Sequence, residues 1–102
     1  MGYLINSGCW ICGEEHESLM FGAGISQKVP IVPAMDKAAN KLCAVVTGDD
    51  DHFRYYTEPT MYELSDDSEY IIWGELRLST VNNYCPECEE FSMDFEVVGE
   101  WD

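Results

Sequence analysis

Two Cys-x-x-Cys pairs stand near opposite ends of this chain, as Cys9-Trp10-Ile11-Cys12-Gly13 and Cys85-Pro86-Glu87-Cys88. Each pair is short enough to bend into a knuckle that turns both sulfurs toward one point, with backbone amides aimed at the thiolates. Four thiols in two such pairs make the ligand set of a closed tetrahedral zinc site. Cys9, Cys12, Cys85 and Cys88 are therefore expected to bind one zinc ion, which would tie the N-terminal turn to the C-terminal hairpin. The ion is expected to be structural, because four cysteines leave no coordination position open for water or substrate.

A thioredoxin-type redox site uses a single pair ahead of a helix, where the helix dipole lowers a thiol pKa. Neither pair here precedes a convincing helix. Two disulfides are the bland alternative, and they need an oxidising compartment. Before Cys9 the chain reads Met1-Gly2-Tyr3-Leu4-Ile5, without a basic region or a long apolar core, and the fifth cysteine, Cys43, is left over. Both features lead to the expectation of a reducing, cytoplasmic setting.

The two pairs resemble the knuckles of zinc ribbons and rubredoxin-like proteins. Cys9-Trp10-Ile11-Cys12-Gly13 is similar to the Cys-x-x-Cys-Gly form, and Tyr84-Cys85-Pro86-Glu87-Cys88 to the Cys-Pro-x-Cys form. Glu89 stands where glycine is usual in the second, and the gap between the pairs is much longer than in a compact ribbon. The resemblance covers the knuckles and their flanking strands and implies a metal site. Ligand type alone admits iron as well as zinc.

The 102 residues are expected to form one domain, 1–102, for which a structural metal would supplement a modest core. Twenty acids face five bases, for a formal charge of −15, and every base lies between Lys28 and Arg77. From Leu78 to Asp102 there are seven acids and no lysine or arginine. Such a surface repels phosphate backbones, so direct binding of DNA or RNA is not expected. A basic protein is the natural target of such a field, and plain solubility is the bland account of the same charge.

Along the chain, Tyr3–Ile5, His16–Phe21, Phe53–Thr57, Tyr70–Thr80 and Phe91–Val98 read as strands. Met61–Leu64 is a further strand candidate. Met35, Ala38, Ala39, Leu42 and Val45 follow helical spacing, so Ala34–Val46 is predicted to be the one main helix, with Cys43 a packed thiol near its apolar face. The expected fold is α+β: a small antiparallel sheet with that helix and two zinc knuckles joined by one metal. Tyr70–Thr80 and Phe91–Val98 are expected to form a hairpin with the metal at its tip. In the second of these strands Phe91, Met93, Phe95 and Val97 share one face, and Ser92, Asp94 and Glu96 the other.

No catalytic motif accompanies the metal site. A zinc deaminase pattern is absent, because the proline follows Cys85 and neither His16 nor His52 gives His-x-Glu. His16 is close enough to Cys12 to be a substitute ligand, but reads better as an exposed histidine among Glu14, Glu15 and Glu17. Asp49-Asp50-Asp51 lacks the ligand spacing of a calcium loop. The chain is therefore expected to be a non-enzymatic binding protein that docks on a basic, nucleic-acid-binding protein. Its contact residues would be Glu87, Glu89, Glu90, Asp94 and Glu96 near the second knuckle, with Asp49, Asp50, Asp51, Asp66 and Asp67 in two acidic loops. In size, acidity and lack of catalytic motifs it is similar in character to phage anti-CRISPR and anti-restriction inhibitors, which would place it in a host cytoplasm. The alternatives are a rubredoxin-like iron electron-transfer protein and a zinc-ribbon accessory subunit of a host complex. Trp10 and Trp73 are further candidates for an interface anchor.

Overall fold

The structure, a computed structural model, describes residues 2–24, 29–48, 51–64 and 69–101. Its described elements are nine strands and one 3₁₀ turn. In chain order they are β1 (Gly2–Cys9), β2 (Glu15–Phe21), β3 (Ile31–Asp36), β4 (Lys41–Val46), β5 (Phe53–Tyr55), the 3₁₀ turn Pro59–Met61, β6 (Tyr70–Trp73), β7 (Leu76–Ser79), β8 (Asn83–Cys85) and β9 (Glu90–Trp101). Among the described residues no helix is long and apolar enough to cross a membrane.

The expected α+β fold is thus corrected to an almost entirely β architecture. The segment Ala34–Val46, predicted as the main helix, is instead most of a hairpin, β3–β4, with Ala34 opposite Cys43 and Asp36 opposite Lys41. Its turn explains the outcome. The Asp36 carboxylate accepts the amides of Ala38 and Ala39 at 2.9 and 3.2 Å. Asn40, at φ 53°, takes the left-handed conformation that asparagine tolerates better than most residues. The β-branched residues Ile31, Val32, Val45 and Val46 then suit paired strands.

The strands form a four-stranded sheet in the order β2-β1-β9-β8, a three-stranded sheet β4-β3-β5, and the β6-β7 hairpin. Tyr70–Thr80 is therefore two strands rather than one. Gly74, at φ 60°, turns the chain in the two-residue loop between Trp73 and Leu76. That turn places Ile71 opposite Leu78, both buried, and leaves Ile72 outside beside Arg77. The partner of β9 at the second knuckle is β8, not this hairpin. Tyr62 makes only an isolated bridge to Asn83.

The core lies where the three sheets meet. Ile5, Phe21, Phe95 and Met93 come from the large sheet, Val32, Met35 and Leu42 from the second, and Ile71 and Leu78 from the hairpin, with Tyr56 and Met61 between them. Cys9 and Cys85 belong to this cluster.

Strand β9 carries two bulges. Against β1, Leu4 pairs with Gly99 but Ile5 with Val97, leaving Val98 extra. Against β8, Asn83 pairs with Met93 but Tyr84 with Phe91, leaving Ser92 extra. An extra residue resets the inside–outside alternation. Ser92, expected outside, is consequently fully buried, whereas Val97 keeps its place opposite Ile5 and is exposed there.

Candidate metal centre

The first knuckle follows the end of β1, and the second closes the β8–β9 hairpin. β1 and β9 are neighbours in the sheet, with Cys9 opposite Met93, so strand pairing alone brings the two knuckles face to face. The turns are held by backbone bonds. In the first, the Gly13 amide donates to the Cys9 carbonyl at 3.0 Å and the Cys9 amide to the Glu14 carbonyl at 2.9 Å. In the second, the Glu89 amide donates to the Cys85 carbonyl at 2.8 Å.

Four sulfurs converge. Cys9 Sγ lies 3.6 Å from Cys88 Sγ and Cys12 Sγ lies 3.7 Å from Cys85 Sγ, and all four are within 4.8 Å of one another. A disulfide would bring a pair to about 2.05 Å. Around a tetrahedral ion with metal–sulfur bonds near 2.3 Å, the sulfurs stand about 3.8 Å apart. The observed separations fit the second arrangement, and the four cysteines could hold one metal ion.

The electrostatics of the four thiols differ. Burial opposes ionisation of Cys9, but hydrogen bonds from the Cys12 amide, the Ser92 hydroxyl and the Ile11 amide outweigh it, and its pKa is lowered to about 6. At Cys85 burial wins over the amides of Cys88 and Glu87, and the thiol is pushed up to about 12. Cys12 accepts from the Glu14 amide, yet desolvation and the neighbouring Cys9 hold its pKa above the ordinary thiol value.

The three-stranded sheet grips the second knuckle from both sides of Cys85. The fully buried Tyr56 donates its hydroxyl to the Tyr84 carbonyl, and its ring meets Phe95 edge-on at 5.4 Å. Asn40, from the hairpin turn, donates its side-chain amide to the Pro86 carbonyl at 2.7 Å. The first knuckle has no such cover: Trp10 and Ile11 at its tip are 65% and 54% exposed. Trp73 is a different case. It packs over Gly22, where an added Cβ would meet its indole at 2.6 Å.

The other sequence candidates lie apart from the sulfurs. Cys43 is on β4, half-buried, with its thiol 3.6 Å from the Ala34 carbonyl. His16, on β2, sits 3.8 Å from a Glu14 carboxylate oxygen. Glu87, Glu89 and Glu90 are exposed on the second knuckle and at the start of β9, and Asp94 and Glu96 are exposed further along β9. Asp51 is exposed, whereas Asp49, Asp50, Asp66 and Asp67 lie outside the described residues. Asn40, Tyr56 and Ser92 were not singled out from sequence. Only Asn40, following Asp36-Lys37-Ala38-Ala39, carried a local turn signal.

No protein-family model matches the chain, and neither a curated protein nor a solved structure is significantly similar to it.

Proposed function

We propose that this chain is a zinc-stabilised, non-enzymatic binding protein that docks on a basic, nucleic-acid-binding protein, as an anti-CRISPR or anti-restriction inhibitor acting by nucleic-acid mimicry would. The observation that carries this reading is a rigid acidic trough on the outer face of the four-stranded sheet. Asp94 and Glu96 of β9 lie opposite Gly8 and Asn6 of β1, and Glu15 of β2 lies opposite Gly8 on its other side. Together with Glu17, and with His16 between the two glutamates, they line a trough of about 290 Å³ with four acids and no lysine or arginine in its wall. The Cα atoms of residues two apart on one strand lie about 6.8 Å from each other. The strands set where these side chains are rooted before a partner arrives, so no backbone has to be ordered on binding.

The contact surface in this reading adds Glu15 and Glu17 to Asp94 and Glu96, with Glu87, Glu89, Glu90 and Asp51 at its margins. The exposed Trp10–Ile11 tip supplies an apolar anchor beside it. Zinc is the ion of this reading because four thiolates suit a closed structural zinc site, and a reducing cytoplasm keeps the thiols available. An iron centre would colour the purified protein red and move the reading to electron transfer.

The test is affinity capture from host extract with the wild type and with an Asp94→Lys, Glu96→Lys variant. The expected result is a basic nucleic-acid-binding protein that the wild type retains and the variant releases, more so at low salt, and that cannot hold nucleic acid while the wild type is bound. A partner indifferent to the charge reversal, or one that still holds its nucleic acid, overturns the proposal.

A further inference from the structure

Ser92 is the extra residue of the second β9 bulge, with no partner on β8. The bulge re-aims its side chain from the solvent face into the core, so that Ser92 and Met93, neighbours in sequence, are both buried. There the hydroxyl meets sulfur from both knuckles: Ser92 Oγ is 3.0 Å from Cys9 Sγ and 3.3 Å from Cys88 Sγ. Those sulfurs are themselves 3.6 Å apart, so the hydroxyl lies against one edge of the sulfur tetrahedron. The Ser92 carbonyl takes part as well, accepting the Trp10 amide at 3.1 Å at the start of the first knuckle.

We infer that Ser92 is a positioning residue of the metal centre, its hydroxyl fixing the Cys9–Cys88 edge and moderating the negative charge on those two sulfurs. The inference rests on the metal-site reading above. A thiolate has no proton to give, so toward ionised sulfur the hydroxyl must donate. Its other acceptor, the Glu90 carbonyl, is more distant at 3.5 Å. Four thiolates around a divalent ion carry a net charge of about −2, and a buried O–H dipole aimed at that charge opposes it where water cannot. Hydrogen-bond partners of metal ligands set ligand orientation and metal affinity, typically by 10–100-fold. Of the other two sulfurs, Cys12 is exposed and Cys85 is buried. The bulge thus fixes one edge of the centre from within the fold, and among the four cysteines Cys12 is the exposed one.

The probe is Co²⁺, whose thiolate charge-transfer band reports electron donation by the sulfurs. Ser92→Ala removes the hydroxyl at nearly constant volume. It is expected to shift that band to lower energy and to weaken cobalt retention against a chelator by about 10–100-fold. Ser92→Thr, which keeps the hydroxyl, should restore the wild-type band. Ser7→Ala, at the other buried serine of this sheet face, should leave both readouts unchanged. An unshifted band with wild-type retention in Ser92→Ala overturns the inference. If Ser92→Ala does not fold even with cobalt, Ser92→Thr decides: a wild-type band supports the assignment and a shifted one overturns it. A wild-type protein that gives no four-thiolate cobalt spectrum defeats the metal-site reading itself, a result distinct from either.

Discussion

Gly13 and Glu89 occupy the same step of two opposed knuckles. Each lies four residues after the first cysteine of its pair, each has positive φ, at 77° and 55°, and each donates its amide to that cysteine's carbonyl. The second knuckle therefore keeps the glycine conformation without the glycine. Left-handed backbone costs a residue with a Cβ about 1–2 kcal/mol. Glu89→Gly should raise the stability of the metal-loaded protein by about 1 kcal/mol, and Gly13→Ala should lower it by a similar amount. Denaturant melts measure both, and a destabilised Glu89→Gly would show that the glutamate side chain contributes more than its backbone costs.

Metal analysis separates the five cysteines. Cys43→Ser should retain one ion per chain, because its thiol lies on β4 away from the sulfur cluster. Cys85→Ser should lose the ion. Chelation should lower the melting temperature sharply, since an ion held by the cluster would clamp residues 79 apart in sequence, Cys9 and Cys88. Equal melting after verified metal removal would contradict a structural role.

Metal affinity should fall steeply with acid. Burial keeps the Cys85 thiol protonated, with its pKa near 12, throughout the neutral range of the metal-free protein. Each ion bound then releases at least that proton, so affinity should drop at least tenfold for each unit of pH lost. Chelator competition at pH 8 and pH 7 checks the sign and the slope.

Tyr56 predicts a loss of stability in alkali. Burial raises its pKa above the ordinary tyrosine value. Above about pH 10 the unfolded chain gives up this proton while the folded chain keeps it. The unfolded state then binds fewer protons, and stability falls as pH rises, by about 1.4 kcal/mol per unit for this group. Below that range Tyr56 adds no pH dependence. Tyr56→Phe should flatten the alkaline slope and, by removing the part-buried hydrogen bond to the Tyr84 carbonyl, cost about 1 kcal/mol at neutral pH. An unchanged slope would mean that another group controls alkaline unfolding.

The part of this protein most legible in sequence was the part governed by local spacing. Cys-x-x-Cys fixes how two sulfurs can point before any tertiary structure is known. The strand readings located Tyr3–Ile5 of β1, most of β2 and most of β9, but missed that β1 runs on through Asn6–Gly8 to Cys9. The Ala34–Val46 segment misled because Met35, Ala38, Ala39, Leu42 and Val45 satisfy a helical period, while the turn chemistry of Asp36 and Asn40 divides the same residues into two strands. Strand pairing lay outside local reasoning altogether. One extra residue at Ser92 turns its side chain inward, and only the opposing strand shows where that extra residue falls. The hydroxyl at the sulfur cluster was hidden for that reason.

The position of β1 between β2 and β9 has a consequence for synthesis. Translation at about 5–20 residues per second delivers β1 and the first Cys-x-x-Cys pair on the order of ten seconds before the strand that completes the sheet. Through that interval Cys9 and Cys12 stand on a growing chain with only half of the sulfur cluster. An ion held by all four cysteines could be captured only once Cys88, in the turn before β9, has also emerged. A nascent chain that stalls before Cys88 has neither the full cluster nor the closing strand, and is left open to proteases.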